Sequence, residues 1–178
     1  MILLMACGNR LRRDDGAGLA LAELLEKSWL SGTWRVQRIS VQQLTPELAE
    51  LIARERVTTV VFFDSRVSTD KGGKHKVEVH RLALRSCSPS LGHYCNPETL
   101  MHYARWLHGK KVPCWHVAVP GRDFAYGEGL STLAQEAIAE AMDAADLSPH
   151  GWLSRMAAKT FQGHSTAPHT RLFNHQTR

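Results

Sequence analysis

Two short apolar runs in this chain are each ended abruptly by polar residues. Residues 2–7 read Ile-Leu-Leu-Met-Ala-Cys and stop at Gly8-Asn9, and residues 58–63 are rich in β-branched and aromatic side chains and stop at Asp64-Ser65. A strand without polar alternation is typically buried on both faces, as in a parallel sheet that helices cover on both sides. The two runs therefore predict buried strands of such a sheet, with residues 58–63 as the candidate central strand.

The segments between and after these runs predict helices and further strands. Leu21, Leu24 and Leu25 recur at helical spacing, and prolines at positions 46 and 97 stand where a helix begins. We expect helices from about residue 16, over 45–54, 96–108 and 131–145, and strands over 36–41, 76–84 and 114–119. The stretch 76–84 alternates in polarity, as an edge strand does. The order of elements predicts an α/β fold with a mostly parallel sheet, helices on both faces and one antiparallel edge strand.

The length and composition indicate one domain. A chain of 178 residues, 43% of them hydrophobic, can bury one core and has little length left for a second. We expect that domain over residues 1–148. Residues 149–178 contain no acidic residue, four of the ten histidines and scattered Gly, Pro, Ser and Thr. This composition predicts a basic, flexible tail, so that a chain ending at Ser148 would stay folded.

The distribution of charge gives little support for a nucleic-acid partner. The tail carries four basic residues, which account for all but one unit of the formal net charge of +5. Residues 1–148 are therefore nearly neutral, whereas a protein that binds the phosphate backbone needs a basic surface. We predict no nucleic-acid partner for the folded domain.

Cysteine usage and hydropathy predict a cytoplasmic protein. The cysteines are widely spaced, with no C-x-x-C pair, at positions 7, 87, 95 and 114. Such cysteines are typical of buried thiols in a reducing compartment. The first residues lack the pattern of a signal peptide, and no apolar run reaches the ~20 residues of a membrane span. We expect a cytoplasmic monomer without a membrane partner.

The loop after the first strand carries two adjacent aspartates, Asp14 and Asp15, among its glycines. Its glycine spacing does not fit G-x-G-x-x-G, and two carboxylates at a helix N-terminus would repel a phosphate. Asp14 is equally well explained as a cap of the following helix. Two adjacent acids exceed what a cap needs, so Asp15 is the candidate for binding a cation or transferring a proton.

Asp64 follows the second apolar run, where such sheets place functional groups. If the first and third strands are neighbours, Asp15 and Asp64 share one crevice at the carboxyl edge of the sheet. Two carboxylates that close need a cation or a proton between them, which predicts a metal site or a proton-sharing pair. His93, in the loop before residue 97, would add a nitrogen ligand that suits nickel or zinc. A turn residue at position 64 and a solvated histidine at position 93 are the alternatives.

Five segments form an ordered set of motifs over residues 2 to about 147. They are Gly8-Asn9-x-Leu11-x-x-Asp14-Asp15-Gly16-x-Gly18, then 43–50 (Gln-Leu-Thr-Pro-Glu-Leu-Ala-Glu), 60–64 (Val-Val-Phe-Phe-Asp), His93-x-x-x-Pro97 and 124–131 (Phe-Ala-Tyr-Gly-Glu-Gly-Leu-Ser). In this order they resemble the motifs of the endopeptidases that mature nickel-iron hydrogenases. That family has a three-layer α/β/α sandwich with a mixed five-stranded sheet, which agrees with the fold predicted from the residues.

The resemblance implies an endopeptidase, of aspartic type or metal-assisted, with Asp15 and Asp64 as catalytic residues. It also implies that Asp15, Asp64 and His93 bind nickel. The substrate, which is the precursor of a nickel-iron hydrogenase large subunit, would bring the nickel with it and lose its C-terminal extension. The free enzyme would therefore need no permanent cofactor. Family members often carry Glu at the position of Asp15 and Ala at that of Ser65.

Two other functions remain open at the level of sequence. Bacterial peptidyl-tRNA hydrolase also follows its first strand with Gly-Asn, but it would need a basic groove, which the acidic loop and the nearly neutral domain do not supply. A non-catalytic nickel-binding chaperone that inspects the precursor would use the same three side chains as the endopeptidase.

Overall fold

The computed structural model describes residues 1–68, 75–84 and 95–163, and its centre is a five-stranded sheet. The strands are β1 (Ile2–Cys7), β2 (Val36–Val41), β3 (Thr59–Val67), β4 (Glu78–Arg81) and β5 (Cys114–Gly121). Their order across the sheet is β2-β1-β3-β5-β4, and only β4 runs antiparallel to its neighbour among these strands. The predicted α/β class, the mostly parallel sheet and the antiparallel edge strand are confirmed.

Helices cover both faces of this sheet. One face carries α1 (Ala17–Ser31), α4 (Thr132–Met142) and α5 (Pro149–Gly163), and the other carries α2 (Ala49–Ala53) and α3 (Pro97–His108). A 3-10 turn, Pro46–Leu48, follows Thr45 and leads into α2. Asn96 caps α3 by accepting a hydrogen bond from the Thr99 amide at 2.7 Å. No helix within the described ranges is long and apolar enough to cross a membrane.

The first apolar run is divided between two cores. Leu4 and Ala6 of β1 point into the core under α1, whereas Leu3 and Met5 point into the core under α2 and α3. Successive side chains of a strand point to opposite faces, so a strand between two helical layers must be apolar at every position. The absence of polar alternation in residues 2–7 follows from this sandwich.

The position of β1 between β2 and β3 creates a crevice at the carboxyl edge of the sheet. The chain leaves β1 towards one edge of the sheet and later returns on the other side of β1 to form β3. Such a reversal of strand order separates the loops that follow the two strands, and ligands bind there in open α/β sheets. The condition for a shared crevice, that the first and third strands are neighbours, is met.

The strand β3 is longer than predicted. It continues past Phe63 to Val67, so that Asp64 lies inside the strand and pairs with Ala118 of β5. The polar residues at its end indicated a strand end at Asp64, but β5 itself extends to Gly121 and supplies pairing partners for these residues. Asp64 is therefore held by the sheet, and it is not a turn residue.

The predicted flexible tail from residue 149 is corrected for residues 149–163. These residues form α5, whose Trp152, Leu153 and Met156 are buried in the core under α1 and α4. The three apolar residues lie on one side of the helix. Because the surrounding segment is polar in composition, so short an apolar stripe did not predict a core helix. The compact domain therefore includes α5, and residues 164–178 of the predicted tail lie outside the described residues.

Thr160 of α5 also protects the edge of the sheet. The backbone N–H of Val79 in the edge strand β4 donates to the Thr160 hydroxyl at 3.0 Å. An exposed strand edge invites pairing with another chain, and covering it with a helix prevents that. The helix α5 thus both covers the apolar core under α1 and α4 and bonds to the edge strand β4.

The described cysteines carry free thiols. These are Cys7, Cys95 and Cys114, and Cys87 lies outside the described residues. Burial raises the pKa of the Cys114 thiol well above its ordinary value, with a smaller contribution from the charge of Glu98. The inert, buried thiol that the sequence predicts is therefore found at position 114.

Candidate active site

The two adjacent aspartates of the first loop have different roles: Asp14 is a buried structural residue, and Asp15 is the half-buried candidate for the site. Asp14 has no exposed surface, and its carboxylate accepts four hydrogen bonds. Its Oδ2 accepts from the backbone N–H of Arg122 at 2.7 Å, from that of Asp123 at 2.9 Å and from the Ser131 hydroxyl at 2.7 Å, while Oδ1 accepts from the Ser131 N–H at 2.7 Å. Asp14 thus fastens the loop after β1 to the loop between β5 and α4.

The pKa of Asp14 reflects these contacts. Burial by itself raises the pKa of this carboxyl, but the hydrogen bonds from Asp123, Ser131 and Arg122 favour the charged form and leave the pKa below its ordinary value. The alternative that Asp14 caps the following helix is wrong, since no side-chain cap bond is formed at the 3-10 turn 13–16 or at α1. Its partners lie more than 100 residues away in sequence, where no local pattern indicates them.

The loop of residues 122–131 packs directly on the first loop. The N–H of Gly127 donates to the Leu11 carbonyl at 2.9 Å, and the N–H of Arg13 donates to the Gly127 carbonyl at 3.1 Å. Arg13 also forms an ion pair with Asp123. Ser131 ends the loop by capping α4, where its hydroxyl accepts from the Ala134 N–H at 3.3 Å. The fifth motif, residues 124–131, therefore both begins α4 and packs against the aspartate loop.

Asp15 is half-buried and lies in the loop that follows β1. Its Oδ2 accepts a hydrogen bond from the Asn9 N–H at 2.8 Å, and its backbone carbonyl accepts one from the Ser65 hydroxyl at 3.1 Å. Ser65 is the neighbour of Asp64 on β3, and its own N–H donates to Asp64 Oδ1 at 2.7 Å. Ser65 therefore connects the two aspartates of the predicted site.

Two glycines of the first motif make this approach possible. A Cβ at position 18 would lie 2.9 Å from the Asp64 nitrogen and 3.0 Å from the Asp64 Cα, so α1 can contact β3 here only because Gly18 has no side chain. Gly8 adopts a φ of +144°, and a Cβ there would lie 2.0 Å from the Asp15 carbonyl oxygen. Glycine is the residue that permits both a positive φ and such a close approach.

Cys7 adds a thiol to the same place. Burial, together with smaller contributions from the negative charges of Asp64 and Asp15, raises the pKa of the Cys7 thiol to about 11. The thiol donates to the Gln42 carbonyl at 3.3 Å. Because it stays protonated at neutral pH, Cys7 is a poor nucleophile. The sequence prediction missed this residue, although its place at the end of the first apolar run was a signal for it.

The third predicted ligand, His93, lies outside the described residues. Within the part of the chain that the structure describes, no group of three His, Cys, Asp or Glu side chains is arranged to hold a metal ion. The structure links Asp15 and Asp64 through Ser65, and the metal-binding set of Asp15, Asp64 and His93 stays a prediction.

Two other histidines, His80 and His116, lie in strands of the sheet. His116 of β5 pairs with His80 of β4, and burial together with the nearby charge of His80 lowers the pKa of His116 to about 4, against a smaller opposing effect of Glu78. His116 is therefore neutral at physiological pH.

Comparison with known proteins concerns the fold. No family model matches the chain, and no curated protein matches it. Among solved structures, the hydrogenase maturating endopeptidase HybD from E. coli superposes with a TM-score of 0.54 at 18% identity, over 91% of this chain and 93% of that one. The chain has the fold of the hydrogenase maturation endopeptidases.

Two further structures with this fold support the assignment. The [NiFe] hydrogenase maturation protease HycI from Thermococcus kodakarensis has a TM-score of 0.53 and 21% identity, over 78% of this chain and 85% of that chain. The hydrogenase 2 maturation peptidase from a Thaumarchaeota archaeon has a TM-score of 0.51 and 20% identity, over 80% and 93%. The fold implied by the five sequence motifs is thus the fold that the structure has.

Proposed function

We propose that this protein is an endopeptidase that recognises nickel in the precursor of a nickel-iron hydrogenase large subunit and removes the C-terminal extension of that precursor. One observation carries the proposal. Ser65 of β3 joins the two aspartates, since its hydroxyl donates to the backbone carbonyl of Asp15 and its N–H donates to Asp64 Oδ1. The shared fold and the five motifs support it.

In this proposal, the precursor supplies nickel as part of the substrate. Asp15 and Asp64 provide oxygen ligands and His93 provides a nitrogen ligand, a mixed set that suits a borderline divalent ion. The sheet holds Asp64, and the Asn9 N–H orients Asp15 through its Oδ2. Ligands fixed in this way can test whether the precursor carries its metal, because only the loaded precursor gives them a cation to bind.

The same two carboxylates are our candidates for the chemical step. A pair of carboxylates can share one proton and activate water, as in an aspartic-type peptidase. Alternatively, they can act beside a metal that polarises the scissile carbonyl. Cys7 has no role as a nucleophile in either scheme because its thiol is protonated. We propose that the protein acts in the cytoplasm as a monomer, without nucleic acid.

The test is the mass of the large-subunit precursor before and after incubation with the protein, in the presence and absence of nickel. We expect wild-type protein to release one defined C-terminal peptide from the nickel-loaded precursor only. Asp15→Asn should abolish the release because it removes a charged ligand. Asp143→Asn, the same change at an exposed position at the end of α4, serves as the matched control and should cleave normally.

Other outcomes would replace the proposal. If the mass stays unchanged while the protein and the precursor elute together, the protein is a non-catalytic chaperone that inspects nickel. If the precursor is neither bound nor cut, peptidyl-tRNA becomes the substrate to test next. Cleavage that needs no nickel would leave an endopeptidase without the metal checkpoint.

A further inference from the structure

Two large apolar side chains stand exposed beside the aspartate loop. Leu11 is 58% exposed and Tyr126 is 83% exposed, and the two belong to loops that bond to each other. The guanidinium of Arg12 lies over the Tyr126 ring, 5.7 Å from its centre. We call Leu11, Arg12 and Tyr126 the rim.

The backbone of the rim is fixed. Arg12 and Gly127 form a parallel β-bridge, with hydrogen bonds from the Gly127 N–H to Leu11 and from the Arg13 N–H to Gly127. The buried carboxylate of Asp14 holds both loops from beneath through Arg122, Asp123 and Ser131. Exposed apolar side chains on a fixed backbone are organised in advance for contact with a partner, because little conformational entropy is lost on binding.

The rim adjoins the proposed catalytic residue. The Arg12 carbonyl accepts a hydrogen bond from the Asp15 N–H at 3.0 Å, so the rim begins where the site loop turns towards the crevice. The rim therefore borders the backbone turn that carries Asp15.

Charge distinguishes Arg12 from its neighbours. Arg10 pairs with Glu23 at 2.7 Å and Arg13 pairs with Asp123, whereas Arg12 has no carboxylate partner among the described residues. Its Nε donates to the Phe124 carbonyl at 3.4 Å, which leaves the other guanidinium nitrogens directed to solvent or a ligand. A guanidinium binds a carboxylate with two parallel hydrogen bonds.

We propose that the rim docks an extended segment of the substrate polypeptide that places an apolar side chain on Leu11 and Tyr126 and an acidic group on Arg12. This inference rests on the proposed function and deepens it, because it states which chemistry next to the scissile bond the enzyme recognises. The rim contributes to binding and does not touch the reacting atoms.

The test separates KM from kcat for peptide release from the nickel-loaded precursor. Tyr126→Ala should raise KM by about 10- to 100-fold, as the loss of a central aromatic contact does, with kcat nearly unchanged. Trp106→Ala, which removes a 73% exposed aromatic side chain from α3, is the matched control and should leave KM within about twofold. Circular dichroism of each variant confirms that the fold is intact.

Arg12→Gln tests the acidic group separately. Glutamine can keep a hydrogen bond to the Phe124 carbonyl but has no charge. We expect the KM of the wild type to rise with salt concentration, because salt screens the attraction between Arg12 and the acidic group. At low salt the KM of Arg12→Gln should be higher than that of the wild type. It should be nearly independent of salt, since the variant lacks this charge pair. An unchanged salt dependence would show that Arg12 meets no carboxylate and would overturn that part of the inference.

The outcomes distinguish this inference from the proposed function. Normal cleavage with an unchanged KM in Tyr126→Ala refutes the docking surface and leaves the endopeptidase proposal standing. No binding and no cleavage by the wild type refutes both. If the protein dimerises in solution and Tyr126→Ala makes it monomeric without changing KM, the rim contacts a second copy of this chain, and the inference is wrong.

Discussion

Asp14 and Asp15 are adjacent in sequence, and we predict opposite results when each is changed to asparagine. In Asp14→Asn an NH2 group replaces one of the two carboxylate oxygens. That group must face either the three hydrogen-bond donors that now bind Oδ2 or the single donor that binds Oδ1. At least one buried donor then loses its acceptor and meets another donor, and the remaining bonds lose their charge. With about 1–3 kcal/mol for each unsatisfied buried group, the free energy of unfolding should fall by about 2–4 kcal/mol.

The measurement is thermal and urea unfolding of wild type, Asp14→Asn and Asp15→Asn. For a chain of this length, a loss of about 2–4 kcal/mol lowers Tm by roughly 5–15 °C. Asp15 is half-buried and accepts one hydrogen bond from Asn9, so Asp15→Asn should unfold within a few degrees of the wild type and fail in cleavage. Equal melting of Asp14→Asn and wild type would refute the structural role of Asp14.

The pH dependence gives a second check on Asp14. Because the pKa of the folded state is lowered, the charged carboxylate stabilises the fold above its ordinary pKa of 3.8, and this stability is lost as pH falls through the lowered value. Wild-type stability should therefore decrease on acidification below about pH 4, and Asp14→Asn should lose less of its stability over the same range. Parallel pH curves for the two proteins would contradict the assignment.

Three further predictions concern the packing that positions the site. Trp152→Ala should lower the free energy of unfolding by about 3–5 kcal/mol in urea titration. The reason is that Trp152 is fully buried, packs edge-on against Trp29 and donates to the Ala141 carbonyl at 2.9 Å. A stable protein ending at Ser148 would contradict the structural role of α5. Gly18→Ala should cost about 1–3 kcal/mol by overpacking against β3 and should slow cleavage, whereas Gly32→Ala, with ordinary contacts of 3.4 Å or more, should do neither. Thr160→Val should cost about 1–3 kcal/mol and increase aggregation measured by light scattering, because the Val79 N–H loses its acceptor, while Thr160→Ser should behave as wild type.

Local sequence patterns were sufficient for most elements of the fold. The apolar run of residues 2–7 predicted β1 because a strand between two helical layers has no polar face. Thr45-Pro46 and Asn96-Pro97 predicted helix starts because a cap and a proline act within a few residues, although Thr45 forms no side-chain cap bond and only Asn96 caps its helix. The end of β3 was predicted too early, since its pairing as far as Val67 depends on β5, which lies about fifty residues further along the chain.

The candidate site followed from sequence only in part. The sequence by itself determined that two carboxylates, Asp15 and Asp64, come after two buried apolar runs, because apolar runs and the polar residues that follow them are local properties. That the two runs form neighbouring strands was decided by the sheet topology. Only the tertiary structure decided that Asp14 is a structural residue and that Cys7 lies beside the aspartates. It also decided that residues 149–163 belong to the core. Each of these depends on partners distant in sequence, and a buried hydrogen bond or an apolar contact exists only once the chain has brought those partners together.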